Sequence, residues 1–188
     1  MKTISAVRSI ARQALRDEYK ATGYEFPDDE LDLYIGEALI EISQARPYEV
    51  RETVTADGTN EIDLSEIDGL LEVVKVEWPT GNIPPSFLKF HVFGGTIRLD
   101  VKPTEDDDIY VYCHKVHEVT DSSSSLDATM EKVLVEGVVA KAAQAFLNKM
   151  RDQIVPSSAR WYNEWANNHL LLYRAGLNSI TRPKAWEY

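Results

Sequence analysis

The spacing of apolar residues changes twice along the chain, from helical to alternating and back. Over residues 3 to about 20, Ile4, Val7, Ile10, Ala11, Ala14 and Leu15 fall on one helical face. The run F-P-D-D-E-L then predicts a second helix. Its signals are a proline before the start, Asp28 as N-cap and carboxylates in the first turn, where the helix dipole favours them. That helix extends to about Ala45, with Leu31, Tyr34, Ile35, Ala38, Ile42 and Ala45 facing a core. Leu33 and Ile40, seven residues apart, fall on the opposite side.

After Arg46-Pro47 the period becomes two. Six short strands are predicted, over residues 50–55, 60–64, 71–78, 87–92, 96–101 and 109–116. Asp57-Gly58 is read as a tight turn between the first two, and Gly94-Gly95 as another. The serine run over 121–125 is read as a flexible joint back to helices.

Residues 127–150 carry the most informative pattern. Asp127 is a plausible N-cap and no proline interrupts the run. Met130, Leu134, Val138 and Ala145 lie on one side of the predicted helix, and Val135, Val139, Ala142 and Phe146 continue around to the other. A helix apolar over most of its circumference needs neighbours on several sides. Small residues such as Gly137, Ala140 and Ala143 let those neighbours approach. A last helix is predicted over 157–175, with Ala159, Tyr162, Ala166, His169, Leu170 and Tyr173 on its face and Trp161, Trp165 and Leu172 widening it. Gly176 is read as its C-cap and 177–188 as a tail without helical period.

The expected fold class is therefore α+β. A bundle of four helices (1–46 and 126–176) would carry an inserted antiparallel β-barrel or sandwich (47–120) and an extended C-terminal tail (177–188).

Charge sharpens this picture. The 188 residues carry a net −11, yet 151–188 hold five Lys/Arg against three Asp/Glu, so an acidic body meets a weakly basic end. Such a body does not suit nonspecific binding to nucleic acid or to an anionic membrane. A single cysteine, Cys113, excludes an intrachain disulfide. Neither a signal-peptide core nor a membrane-length apolar run is present, and a soluble protein folded in a cytoplasm is expected.

Candidate chemistry is sparse. His114 and His117 are three apart on a predicted strand and so face opposite ways, which does not suit a shared metal. No nucleotide-binding, nucleophile-elbow or metalloprotease motif occurs. The acids over 105–108 lack calcium-loop spacing. No catalytic residue, cofactor or metal is assigned, and the chain is not expected to be an enzyme. Arg8, Arg12 and Arg16 form a ridge that could contact phosphate or an acidic partner, although a solvated face beside the acidic second helix explains it more simply. In the tail, Arg182, Lys184, Trp186 and Tyr188 are residue types that dominate interface hot spots.

The order of these segments resembles a known family. F-P-D-D-E-L-D-L-Y-I-G-E-A-L-I-E-I, a β region, L-V-E-G-V-V-A-K-A-A-Q-A-F and R-W-Y-N-E-W are similar to the head–tail adaptor (connector) proteins of tailed bacteriophages. The resemblance implies a virion structural protein of the neck region, made in the bacterial cytoplasm. About a dozen copies would form a ring beneath the portal, with DNA passing through the lumen without specific binding. It implies the portal protein and a tail or stopper protein as partners. It further implies portal docking through Arg182, Lys184, Trp186 and Tyr188. In such a ring Leu33 and Ile40 are natural subunit contacts. The alternatives are a tail-completion or stopper protein, a nucleic-acid-binding regulator using the arginine ridge, or an enzyme with a divergent site in the β region.

Overall fold

The computed structural model describes residues 3–17, 23, 25–150 and 156–181, with the backbone alone of Met150 and 156–162. The fold is α+β. The described residues form four helices and two small antiparallel sheets, and divide into two compact units, 1–46 with 117–188 and 47–116.

The helical unit is built on α3 (Ala128–Met150). Asp127 caps it, its Oδ1 accepting from the amides of Thr129 and Met130 at 2.9 Å each. These backbone bonds, led by Met130, hold the Asp127 carboxyl below its ordinary range, and Arg46 Nη1 at 2.9 Å from Oδ2 adds to the effect. Met130, Val133, Leu134, Val135, Val138, Val139, Ala140, Ala142 and Ala143 are all buried. The cover comes from the same chain: α1 (Ile4–Leu15), α2 (Asp28–Ala45) and α4 (Pro156–Ile180) all pack on α3. Burial of these positions therefore needs no second subunit.

Two glycines set the helix spacing. A Cβ on Gly137 would stand 2.6 Å from Tyr173 Cε2 and 3.1 Å from Ala38 Cβ, so α2 and α4 come close only because it is absent. A Cβ on Gly176 would meet Val133 Cγ2 at 2.8 Å. Gly176 is thus not a C-cap. It lies inside α4, which continues to Ile180, and Ile180 joins the core. Residues 177–180 are helix rather than tail. Leu172, expected on the core face, is instead exposed.

Helix starts also differ from expectation. Thr3 Oγ1 caps α1 through the Ala6 amide, and Arg16 ends it in the left-handed region (φ 54°). Asp28 is the first residue of α2, after Pro27, and caps nothing, because arginines from α1 take its carboxylate. The serine stretch is a tight loop. Ser125 N donates to Glu118 O and Thr120 N to Ser123 O, while Ile4 N donates to Thr120 O, fastening the start of α1.

The β unit has seven strands: β1 (Tyr48–Thr55), β2 (Glu61–Asp63), β3 (Leu70–Glu77), β4 (Phe87–Leu88), β5 (Phe90–Phe93), β6 (Thr96–Leu99) and β7 (Asp108–Lys115). One sheet has the order β1-β7-β3-β4 and the other β2-β6-β5, and residues from both share one core that includes Val76, Ile97, Leu99, Ile109, Val111 and Cys113. The sheets do not close into a barrel. Asp57-Gly58 does not join paired strands either. β1 pairs with β7 throughout, Thr55 opposite Asp108, and Ala56 continues the ladder to Asp107, while β2 pairs with β6. The expected strand over 87–92 is two strands in different sheets, exchanging at Lys89, whose carbonyl accepts from Asp100 N. Gly94-Gly95 does close a two-residue hairpin between β5 and β6, with positive φ at both glycines.

Candidate functional site

The exposed side of α2 offers the clearest surface. Asp29, Leu33, Glu37, Ile40 and Gln44 are spaced four, four, three and four apart and all are exposed. Leu33 is 60% and Ile40 47% accessible, high values for aliphatic side chains on a helix whose inner face is fully packed. Along this stripe Leu33 lies between the carboxylates of Asp29 and Glu37, and Ile40 between Glu37 and the uncharged amide of Gln44. Glu37 and the neighbouring Glu41 hold Lys141 of α3 at 3.1 and 2.6 Å. Burial works against the Lys141 ammonium, but the two carboxylates outweigh it and raise its pKa. A surface that covered Leu33 and Ile40 would be aliphatic at its centre and polar around it.

A second exposed apolar surface lies on α4, where Leu171 and Leu172 are 62% and 56% accessible. Asn167, Asn168, Ala175 and Asn178 are exposed along the same helix. The signal was present in the sequence: from Trp165 to Tyr173 the chain carries no Asp, Glu, Lys or Arg. Three consecutive leucines, 170–172, cannot all face inward on a helix, so some had to be exposed.

The arginine ridge is not an open cationic surface. Arg8 Nε donates to Asp32 Oδ1 at 2.7 Å and its Nη1 to Asp28 Oδ2 at 3.3 Å. Arg12 Nη2 reaches Asp28 Oδ1 at 2.6 Å and the Phe26 carbonyl at 2.8 Å. The hydrogen bond from Arg12 holds the Asp28 carboxyl below its usual range. These guanidinium groups join α1 to α2, and Arg16 leaves the helix as its left-handed cap.

His114 and His117 are both held by neighbours. His114 Nδ1 lies 3.3 Å from Glu72 Oε2. His117 is off the strand, since β7 ends at Lys115, so the expectation that the two rings share a strand fails. His117 is buried among Ser43, Arg46 and Ser125. Its Nε2 donates to the Arg46 carbonyl at 3.0 Å, which leaves Nδ1 to accept from the Ser125 hydroxyl at 2.9 Å. Its backbone N–H donates to Ser43 Oγ at 2.8 Å. Burial lowers its pKa. Cys113 is also buried, and burial pushes its thiol pKa up. Among the described residues no group of three or more His, Cys, Asp or Glu could hold a metal ion. Among them, too, no helix is long and apolar enough to cross a membrane.

The expected portal-docking residues Arg182, Lys184, Trp186 and Tyr188 lie outside the described residues. What α2 and α4 present is therefore a set of exposed aliphatic side chains on a packed helical scaffold. No protein-family model and no curated protein matches the chain.

Proposed function

We propose that this protein is a head–tail connector of a tailed bacteriophage, a virion component forming a ring beneath the portal. In this reading the helical unit acts as a bundle carrying the β unit as an insertion, and the segment beyond Thr181 docks into the portal. The observation that carries the reading is the α2 stripe, with Leu33 and Ile40 exposed on a helix whose core is already complete. Aliphatic side chains left outside a finished core, with polar neighbours along the same stripe, suit contact with a neighbouring copy. The net −11 charge fits a lumen past which DNA slides without adhering. Partners are a portal protein, a tail or stopper protein, and other copies of the chain.

The reading as a nucleic-acid-binding regulator loses support, because Arg8 and Arg12 are already engaged by Asp28 and Asp32. The test is electron microscopy of the protein alone and mixed with the portal protein encoded in the same genome. A ring seated on the portal is the expected result. Absence of any complex with the portal at micromolar concentrations would refute the proposal.

A further inference from the structure

The two sheets leave open edges, and two of these border one groove. On the side away from β7, β3 is paired only at Val76 and Glu77, by β4, so among the described residues no strand pairs with its 70–75 portion there. β5 is the last strand of the other sheet and pairs only with β6. Between these two open edges runs a groove of about 320 Å³. Leu64, Leu70, Val73 and Val92 give it an aliphatic lining, and Gly94-Gly95 leave its end free of side chains.

Edge strands are normally guarded by charge, proline or cover, because their free N–H and C=O groups recruit other strands. Here the guard is incomplete. β5 reads F-H-V-F, without a Lys, Arg, Asp or Glu, and Val92 is half exposed while Phe93 is 89% accessible. On β3 the pairing shifts register around Leu71 and Val74, and both side chains are exposed. Bulges of this kind twist an edge and turn side chains out of the ladder.

The rim specifies charge. Glu61, Asp63, Glu66, Asp68 and Glu72 lie along one stretch of chain, and no Lys or Arg occurs between Arg51 and Lys75. Asp63 and Glu72 border the groove directly. A second copy of this chain would bring a body of net −11 to an acidic rim, and its long edge strand β1 carries Glu49 and Glu52. The complementary occupant is cationic.

We propose that the groove between β3 and β5 receives an extended segment of a different protein, which adds as a strand. Aliphatic residues of the segment would face the groove and lysine or arginine would face the acidic rim. Backbone hydrogen bonds to an open edge would supply affinity, and alternate side chains would supply selectivity. This inference stands on the β unit alone and does not rest on the connector reading.

The test uses a capped eight-residue peptide alternating lysine with valine, and the same peptide with glutamate for lysine. Amide resonances of the full-length protein are followed by NMR. Saturable shifts are expected at residues 70–75 and 90–93 with the lysine peptide, weakening as salt rises. Val92→Lys and Glu72→Lys are both solvent-facing changes whose folding is checked by circular dichroism. Each should weaken binding at least about tenfold, while the remote Ile40→Lys should not change it. Equal binding of the glutamate peptide, shifts at other residues, undiminished binding to both variants, or no binding at millimolar peptide would each overturn the proposal. So would concentration-dependent shifts at these amides without peptide, which would make a second copy the occupant.

Discussion

Gly137 and Gly36 are both helical glycines, and the structure predicts opposite outcomes for the same substitution. Glycine in a helix interior is about 1 kcal/mol less favourable than alanine, so replacement gains that much wherever there is room. A Cβ at Gly36 meets nothing within 4 Å, and Gly36→Ala should stabilise the protein by up to about 1 kcal/mol. At Gly137 the new methyl would press on Tyr173, which is buried and has its hydroxyl directed at the Ala38 carbonyl. Overpacking of this kind typically destabilises by about 1–3 kcal/mol, which outweighs the propensity gain. Thermal unfolding of the two variants checks both signs.

His117 predicts a pH effect. Its folded-state pKa is lowered from 6.5 by burial, so as pH falls the unfolded chain takes up the proton first. Stability should therefore be independent of this group above that range. It should fall as pH drops from 6.5 toward the folded pKa, and level off below it. Asp127 and Arg46 sit beside the site and oppose each other, Asp127 raising and Arg46 lowering the histidine pKa. Urea denaturation of wild type and His117→Gln, from about pH 7.5 to about pH 5 so as to span the histidine range, measures the effect. A slope that persists in the variant would assign it to other groups.

At the scale of elements, the end of α4 decides where a truncation is harmless. Ile180 belongs to the helical core and Thr181 N still donates to Leu177 O. Removal of 182–188 should leave the unfolding midpoint nearly unchanged and, in the connector reading, abolish portal binding. Removal of 178–188 takes Ile180 out of the core and should destabilise by about 2–5 kcal/mol, the range for deleting a large aliphatic side chain. Comparing the two truncations separates docking from folding. Portal binding retained by the shorter deletion would remove the tail from the proposal.

For the whole molecule, the central question is whether copies associate through α2. Leu33→Lys with Ile40→Lys should leave the monomer folded, because both side chains are exposed and the inner face of α2 is untouched. The double variant should lose ring formation on the portal, read by electron microscopy and sedimentation. Rings of normal size would place the subunit contact elsewhere and point to the exposed side of α4 around Leu171 and Leu172. The helical unit buries the apolar positions of α3 within a single chain, so assembly would run through exposed stripes and not through an unsatisfied core.

Local pattern alone determined the α+β class, the burial of most apolar positions of α3, the Asp127 cap and the Gly94-Gly95 hairpin, because each follows from residues within a few positions of one another. Pairing was different. Which strands share a ladder, why 87–92 splits between two sheets, and why the sheets stay open between β3 and β5 depend on contacts between residues far apart in sequence. The glycine in α4 illustrates the same division. In sequence Gly176 reads as a helix end, and only the approach of Val133 from α3 shows that it is there for want of space. Tertiary structure likewise decided that Arg8 and Arg12 face Asp28 and Asp32, because a guanidinium finds its carboxylate through space and not along the chain.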